Sequence, residues 1–194
     1  MNPQNGNALW RNEEGLLTEN YGEARRINAG SPEPLWTGGF NTELSWRGIS
    51  LGIQLEARYG NKVLNQDRSL FEADGFYGDS NIWKGAMNYW KKPGDTNVLP
   101  KPVYNNSSNS SAISTRYLED GSYLRIKDIT LAYSLPSKWT KKALMSGVRI
   151  YASALNLYTF HNMNYWDPEH GTSGATIISY PMTRSMIVGV DITF

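Results

Sequence analysis

Cysteine is absent from the sequence, which excludes disulfide frameworks and thiolate metal sites and leaves the compartment open. An excess of charge of either sign is also lacking. With 19 basic and 18 acidic residues the formal net charge is +1, so the chain carries no nucleic-acid footprint. No run approaches the ~18 apolar residues of a spanning helix. The mean hydropathy is -0.51, but barrel strands hide apolar residues by alternation, so this low mean does not exclude a membrane protein. Met1–Trp10 has neither the basic nor the apolar segment of a signal peptide. An outer-membrane protein needs such a signal for export, so a membrane reading predicts a downstream part of a longer chain. Nucleophile–base and acid–base constellations are missing as well, which predicts no enzyme and no cofactor.

What the chain does have is rings. Aromatics make up 12%, with 7 Trp and 12 Tyr against 5 Phe, a tilt toward amphipathic side chains that suit interfaces. The most telling segment is Tyr180–Phe194. From Met186 onward the even positions are Met186, Val188, Val190, Ile192 and Phe194; Gly189, Asp191 and Thr193 lie between them, and Ile187 is the one apolar exception. Such alternation predicts a strand with one apolar and one wet face. An aromatic at its end suits a membrane–water boundary.

The same period recurs upstream. Phe40, Thr42, Leu44 and Trp46 alternate with polar residues, Arg47-Gly48 turns the chain, and Ile49, Leu51, Ile53, Leu55, Ala57 and Tyr59 alternate again. This predicts a hairpin of strands near 36–46 and 49–59, each near the ~9–11 residues that cross a bilayer at barrel tilt. A third strand is expected near 123–135. Its apolar positions are even at Leu124 and Ile126 but odd at Ile129, Leu131 and Tyr133, which predicts a β-bulge at Lys127-Asp128. A fourth is expected near 148–160, with an apparent phase slip at Ala154-Leu155 that predicts a second bulge. The fifth is expected at 182–194.

Residues 1–34, rich in Gly, Asn and Glu, read as loop. Residues 60–122 form a long excursion with a short helix between Asn61 and Ala73 and a Ser/Asn tract from Asn105 to Ser111, read as a flexible polar loop. One helical turn is expected in the basic link before Gly147. Short links at Arg47-Gly48 and 136–147 alternate with long loops at 60–122 and 161–181, the pattern of bacterial outer-membrane barrels. It places the rings in two girdles, with Trp46, Tyr133, Trp139 and Phe194 at the inner boundary and Trp36, Tyr59 and Phe160 near the outer one. Five strands cannot close a barrel, since an open sheet leaves two unpaired edges.

Arg116-Tyr-Leu-Glu-Asp-Gly-Ser-Tyr-Leu-Arg-Ile-Lys-Asp-Ile-Thr-Leu-Ala-Tyr-Ser-Leu-Pro136 resembles a signature of the SusC/RagA family of TonB-dependent outer-membrane transporters. Arg149–Phe160, Asp167-Pro-Glu169 and Tyr180-Pro-Met-Thr-Arg184 leading to Phe194 follow in the family's order, and Trp36-Thr-Gly-Gly-Phe40, Trp90 and Pro100 also fit. The resemblance implies an all-β fold, the C-terminal antiparallel strands of a barrel of about 22 strands with a plug. It further implies import of oligosaccharides or peptides with a SusD-like surface lipoprotein, driven by the TonB complex. The implied location is the outer membrane of a Gram-negative, Bacteroidetes-type bacterium. The other partners would be lipid and the rest of the barrel and plug, and the fragment alone would transport nothing. Phe194 would serve as the terminal signal for barrel assembly.

Candidate sites are few. His161, Asp167, Glu169 and His170 are metal-ligand types within one loop, but Asp-Pro-Glu is also a good turn, and the turn is the stronger reading. Glu119-Asp120 before Gly121 likewise reads as a turn. Trp83, Tyr89 and Trp90 are candidates to stack on a sugar or other solute, or to hold their loop together. Glu43, Gln54, Glu56, Arg58, Arg125 and Asp191 are expected on the polar face, and Ser50, Gly52 and Gly189 as small residues on a crowded inner wall. The competing reading is a soluble carbohydrate-binding β-sandwich, in which Ile49, Leu51, Ile53 and Leu55 would pack in a core.

Overall fold

The segments with two-residue alternation are strands in the computed structural model, which describes residues 1–78, 81–106, 108–169, 174–176, 180 and 182–194. They are β1 Trp36–Trp46, β2 Ile49–Tyr59, β3 Tyr123–Ser134, β4 Gly147–His161 and β5 Ser185–Thr193. Their order is β5-β4-β3-β2-β1, every neighbouring pair antiparallel. The all-β class and the five-stranded antiparallel segment are as expected. The last strand begins at Ser185 instead of Met182.

The hairpin closes as its sequence predicts. Arg47 and Gly48 both have positive φ, 49° and 86°, the type I′ geometry that matches the twist of the flanking strands. Glycine is required at the second position, because a Cβ there would meet the carbonyl oxygen of Ser134 at 2.8 Å.

The β3 bulge falls where the phase slip places it. Gln54 pairs with Asp128 and Leu55 with Ile126, so Lys127 is the extra residue. It lets Lys127 and Asp128 both turn to the polar face, where Lys127 Nζ reaches Glu56 at 3.1 Å and Asp128 accepts from Thr130 and Ser153 at 2.7 and 2.8 Å. The second bulge, on β4, is displaced from its expected place. Asp128 pairs with Leu155 and Ile126 with Tyr158, leaving two residues, Asn156 and Leu157, opposite Lys127. β4 therefore has its own extra residue, at Asn156-Leu157 rather than at Ala154-Leu155, and Tyr158 and Phe160 continue the even-numbered apolar face.

The two faces are chemically distinct. One cross-strand row reads Leu44, Leu51, Leu131, Ala152, Val188; Leu44, Leu131 and Val188 are 62%, 52% and 79% exposed, unlike the core of a sandwich. Exposed rings stand at both ends of this face, with Trp36, its partner Tyr59 and Phe160 at one and Trp46 and Tyr133 at the other. The opposite face holds the buried side chains of Tyr123, Arg125 and Ala132. Short helical turns at Ser137–Thr140 and Lys141–Ala143 fill the basic link.

The sheet belongs to one compact unit, residues 31–63, 119–174 and 179–194; a second gathers residues 1–30, 64–118 and 175–178. The second corrects two expectations. Residues 1–30 are not bare loop: Trp10–Arg11 pairs with Leu17–Thr18, and Trp10 Nε1 donates to the Ser108 carbonyl at 3.1 Å. Nor is the Ser/Asn tract a flexible loop, for Asn106, Ser108 and Ser110 are buried. Asn106 Oδ1 accepts from the Ser108 amide and hydroxyl, both at 2.9 Å, and the Ser110 carbonyl accepts from Arg116 at 2.9 Å. The expected helix is Gln66–Phe71, capped by Asn65.

Candidate functional site

The polar face of the sheet carries the densest chemistry. Arg125, on β3, is fully buried. Its Nε donates to Thr159 Oγ1 at 2.9 Å, and its two terminal nitrogens donate to Asp167 and Glu169. A buried guanidinium is tolerated only when its charge is paired and its donors satisfied, and this one is paired twice. The Asp167-Pro-Glu169 turn is shaped for the task, with the Glu169 amide donating to Asp167 Oδ1 at 2.9 Å. Lys127 links Glu169, at 3.3 Å, to Glu56, at 3.1 Å. Glu56 in turn accepts from the Tyr123 hydroxyl at 2.6 Å.

The carboxylates of the candidate metal cluster are engaged in this network. Asp167 and Glu169 are held by Arg125, and among the described residues no three of His, Asp and Glu form a metal-binding group. His170 lies outside the described residues. Glu119 is likewise engaged, accepting from the Asn164 amide and side chain at 2.8 and 3.1 Å. Asp120 accepts from the Ser122 amide and hydroxyl at 3.0 and 2.6 Å, bonds that hold its carboxyl below the usual range. The structure corrects the expected turn: Glu119 and Asp120 lie in a short strand, Leu118–Asp120, and only Gly121 and Ser122 separate it from β3.

The other expected polar-face residues differ in their partners. Asp191 meets Arg149 at 3.2 Å, and the Arg58 guanidinium lies 6.0 Å from the Tyr123 ring centroid. Glu43 and Gln54 stand opposite Gly52 and Asn41 in the backbone register of the hairpin. Beside Arg125 the polar face hollows into a cleft of about 320 Å³, lined among others by Asn156, His161, Tyr165, Trp166 and Arg184.

The candidate aromatics divide. Trp90 is buried, donates to the Pro3 carbonyl at 3.1 Å and carries Lys101 5.7 Å from its ring. Trp83 stacks on Phe71 at 4.8 Å, and Tyr89 is bridged to Leu99. These positions hold their own unit together. Phe194 follows β5 and is 87% exposed. In the same unit as Trp90, Tyr117 is fully buried, which pushes its phenol above the ordinary tyrosine range. Neighbouring Arg116 pays a burial cost that its pairing with Asp74, at 2.5 Å, outweighs, so its pKa is raised.

Sequence reasoning missed the union of Arg125 with Asp167 and Glu169. The partners are 42 and 44 residues apart, and no local period links them. The one available signal was an arginine on the polar side of a strand, needing carboxylates from somewhere.

No protein-family model matches the chain. Among curated proteins it is 29% identical over 182 residues to TonB-dependent receptor P3 of Formosa agariphila, covering 88% of the chain and 17% of the relative. TonB-dependent receptor P26 of the same organism is 27% identical over 180 residues, covering 85% of the chain and 17% of the relative. Among solved structures, the RagAB peptide transporter matches all of the chain and 22% of its own, with a TM-score of 0.84 and 28% identity. The RagAB peptide importer in its open-open state matches with a TM-score of 0.85 and 28% identity over 21% of that chain. The chain thus spans about a fifth or less of the proteins it matches, which are receptors and a transporter, not enzymes. By sequence and by backbone alike, the chain is homologous to TonB-dependent receptors of the SusC/RagA kind, and its sheet corresponds to a portion of their β-barrel.

Proposed function

We propose that this chain forms part of the wall of an outer-membrane, TonB-dependent nutrient transporter. The observation that carries this is the two-faced sheet. An exposed apolar face bounded by rings at both ends backs directly onto a face of buried and paired charges. Lipid on one side and a watery or plugged interior on the other satisfy both faces at once. A soluble protein would expose the row Leu44, Leu131, Val188 to water, a contiguous apolar surface that monomers avoid.

In this reading the complete protein takes up oligosaccharides or peptides together with a SusD-like surface lipoprotein. Energy comes from the TonB complex through other parts of the receptor. The 28% identity to a peptide transporter over the whole chain favours peptides. The segments 60–122 and 161–181 are then extracellular, with Trp83, Tyr89 and Trp90 serving that loop chiefly as structure.

Fractionation of cells producing the natural protein tests the reading. The protein is expected in the outer membrane, soluble only in detergent, and to co-purify with a surface lipoprotein. A detergent-free, monomeric soluble protein would sink it.

A further inference from the structure

The cleft beside Arg125 has an unbalanced lining. Its charged side chains are Arg125, Arg184 and Asp167, joined by His161. Arg125 is already paired with Asp167 and Glu169, so the one carboxylate of the lining is spent on a buried cation. Arg184 is exposed and has no ion pair among the described residues. The charge of Arg125 is thus neutralised within its own network, and Arg184 is the cation of the lining without a carboxylate partner among the described residues.

The position of Arg184 is set by structure. Asn156, in the left-handed region with φ of 50°, turns its side chain to donate to the Thr183 carbonyl at 3.2 Å. The step that interrupts the β3–β4 ladder therefore anchors the residue preceding Arg184. Tyr165 and Trp166 also line the cleft. Tyr165 has a φ of 68°, a conformation costly for a bulky residue and characteristic of sites where geometry matters more than strain.

We infer that this cleft binds the carboxylate of a passing solute at Arg184, with the body of the solute against Tyr165 and Trp166. A guanidinium fork matches a carboxylate in geometry as well as charge, and aromatic faces accept apolar side chains or the C–H faces of sugar rings. A volume of about 320 Å³ suits one sugar ring or one amino-acid residue rather than an oligomer, at the low end of the ~300–1,000 Å³ of ligand sites. The site is therefore a subsite that selects acidic solutes. The inference rests on the transporter reading and names its substrate class.

The carboxylate can belong to a uronic acid or to a peptide C-terminus, and two probe pairs separate these sources. Binding of glucuronate against glucose, and of Gly-Phe against Gly-Phe amide, is measured by saturation-transfer NMR on the complete receptor in detergent. The acid of at least one pair should bind about tenfold more tightly than its neutral partner, as a charge-assisted bond supplies. Arg184→Gln should erase that preference, Arg184→Lys should retain part of it, and Lys84→Gln should leave it intact. Which pair discriminates identifies the source. Equal binding of acid and neutral probes, or a preference that survives Arg184→Gln, overturns the inference. Fractionation of the wild type and Arg184→Gln proteins keeps the two readings apart. Loss of preference in a protein still inserted in the outer membrane supports the subsite, whereas a wild type absent from that membrane overturns the transporter reading alone.

Discussion

The ring of Tyr151 lies over Gly189, its partner across the β4–β5 ladder; a Cβ at Gly189 would sit 2.4 Å from the phenol carbon of that ring. An aromatic covering a cross-strand glycine repairs the packing that glycine lacks. Gly189→Ala should overpack this point on the polar face, at a cost of about 1–3 kcal/mol. The temperature at which the folded protein loses its compact gel migration should fall, and adding Tyr151→Ala should recover part of the loss. An unaltered temperature in the single variant would contradict the geometry.

Arg125 supports a loop as much as a strand. Arg125→Met leaves Asp167 and Glu169 without their buried cation, a loss of about 3–5 kcal/mol for a broken buried pair. Limited proteolysis should then cut near residues 162–169, where the wild type resists. Combining Arg125→Met with Asp167→Asn and Glu169→Gln should restore resistance, since the unpaired charges are gone.

The two faces of the sheet predict unequal tolerance. Leu131→Arg, on the apolar row, should cost about 2–4 kcal/mol near the bilayer midplane and reduce the amount of inserted protein. Asn41→Arg, exposed on the polar face, should insert normally. Equal insertion of both variants would mean that the apolar row does not meet lipid.

Tyr117 carries a pH signature. Burial raises its phenol above the ordinary value of about 10, so the folded state holds a proton that the unfolded chain releases. Its contribution is fully present below pH ~10 and declines as pH rises through that value. The thermal midpoint of wild-type protein should therefore drop between pH 8 and pH 10.5 by more than that of Tyr117→Phe. Parallel drops would assign the alkaline sensitivity to other groups.

The sheet was largely readable in advance because a strand's face pattern is local. Leu124, Ile126, Ile129 and Leu131 announce the β3 bulge within eight positions. The same logic placed the β4 bulge only approximately: Leu155 still pairs with Asp128, and the extra residue falls at Asn156-Leu157, opposite Lys127. A pattern within one strand cannot reveal how many residues its partner inserts. The Ser/Asn tract failed for a related reason. Polar composition predicts solvent, yet Asn106, Ser108 and Ser110 are buried, with Asn106 Oδ1 accepting from the Ser108 amide and hydroxyl and the Ser110 carbonyl accepting from Arg116.

What the sequence alone determined is the alternation, the turn at Arg47-Gly48, the rings at the strand ends and the absence of helical spans, since each depends on residues close in the chain. Only the tertiary structure decided where the charges go. Arg125 meets Asp167 and Glu169, Lys127 bridges Glu56 and Glu169, and Arg184 stands in a cleft with Tyr165 and Trp166. A charge is stabilised by whatever lies within a few ångströms of it, and that proximity arises only when β3, β4 and the Asp167-Pro-Glu169 loop fold onto one face.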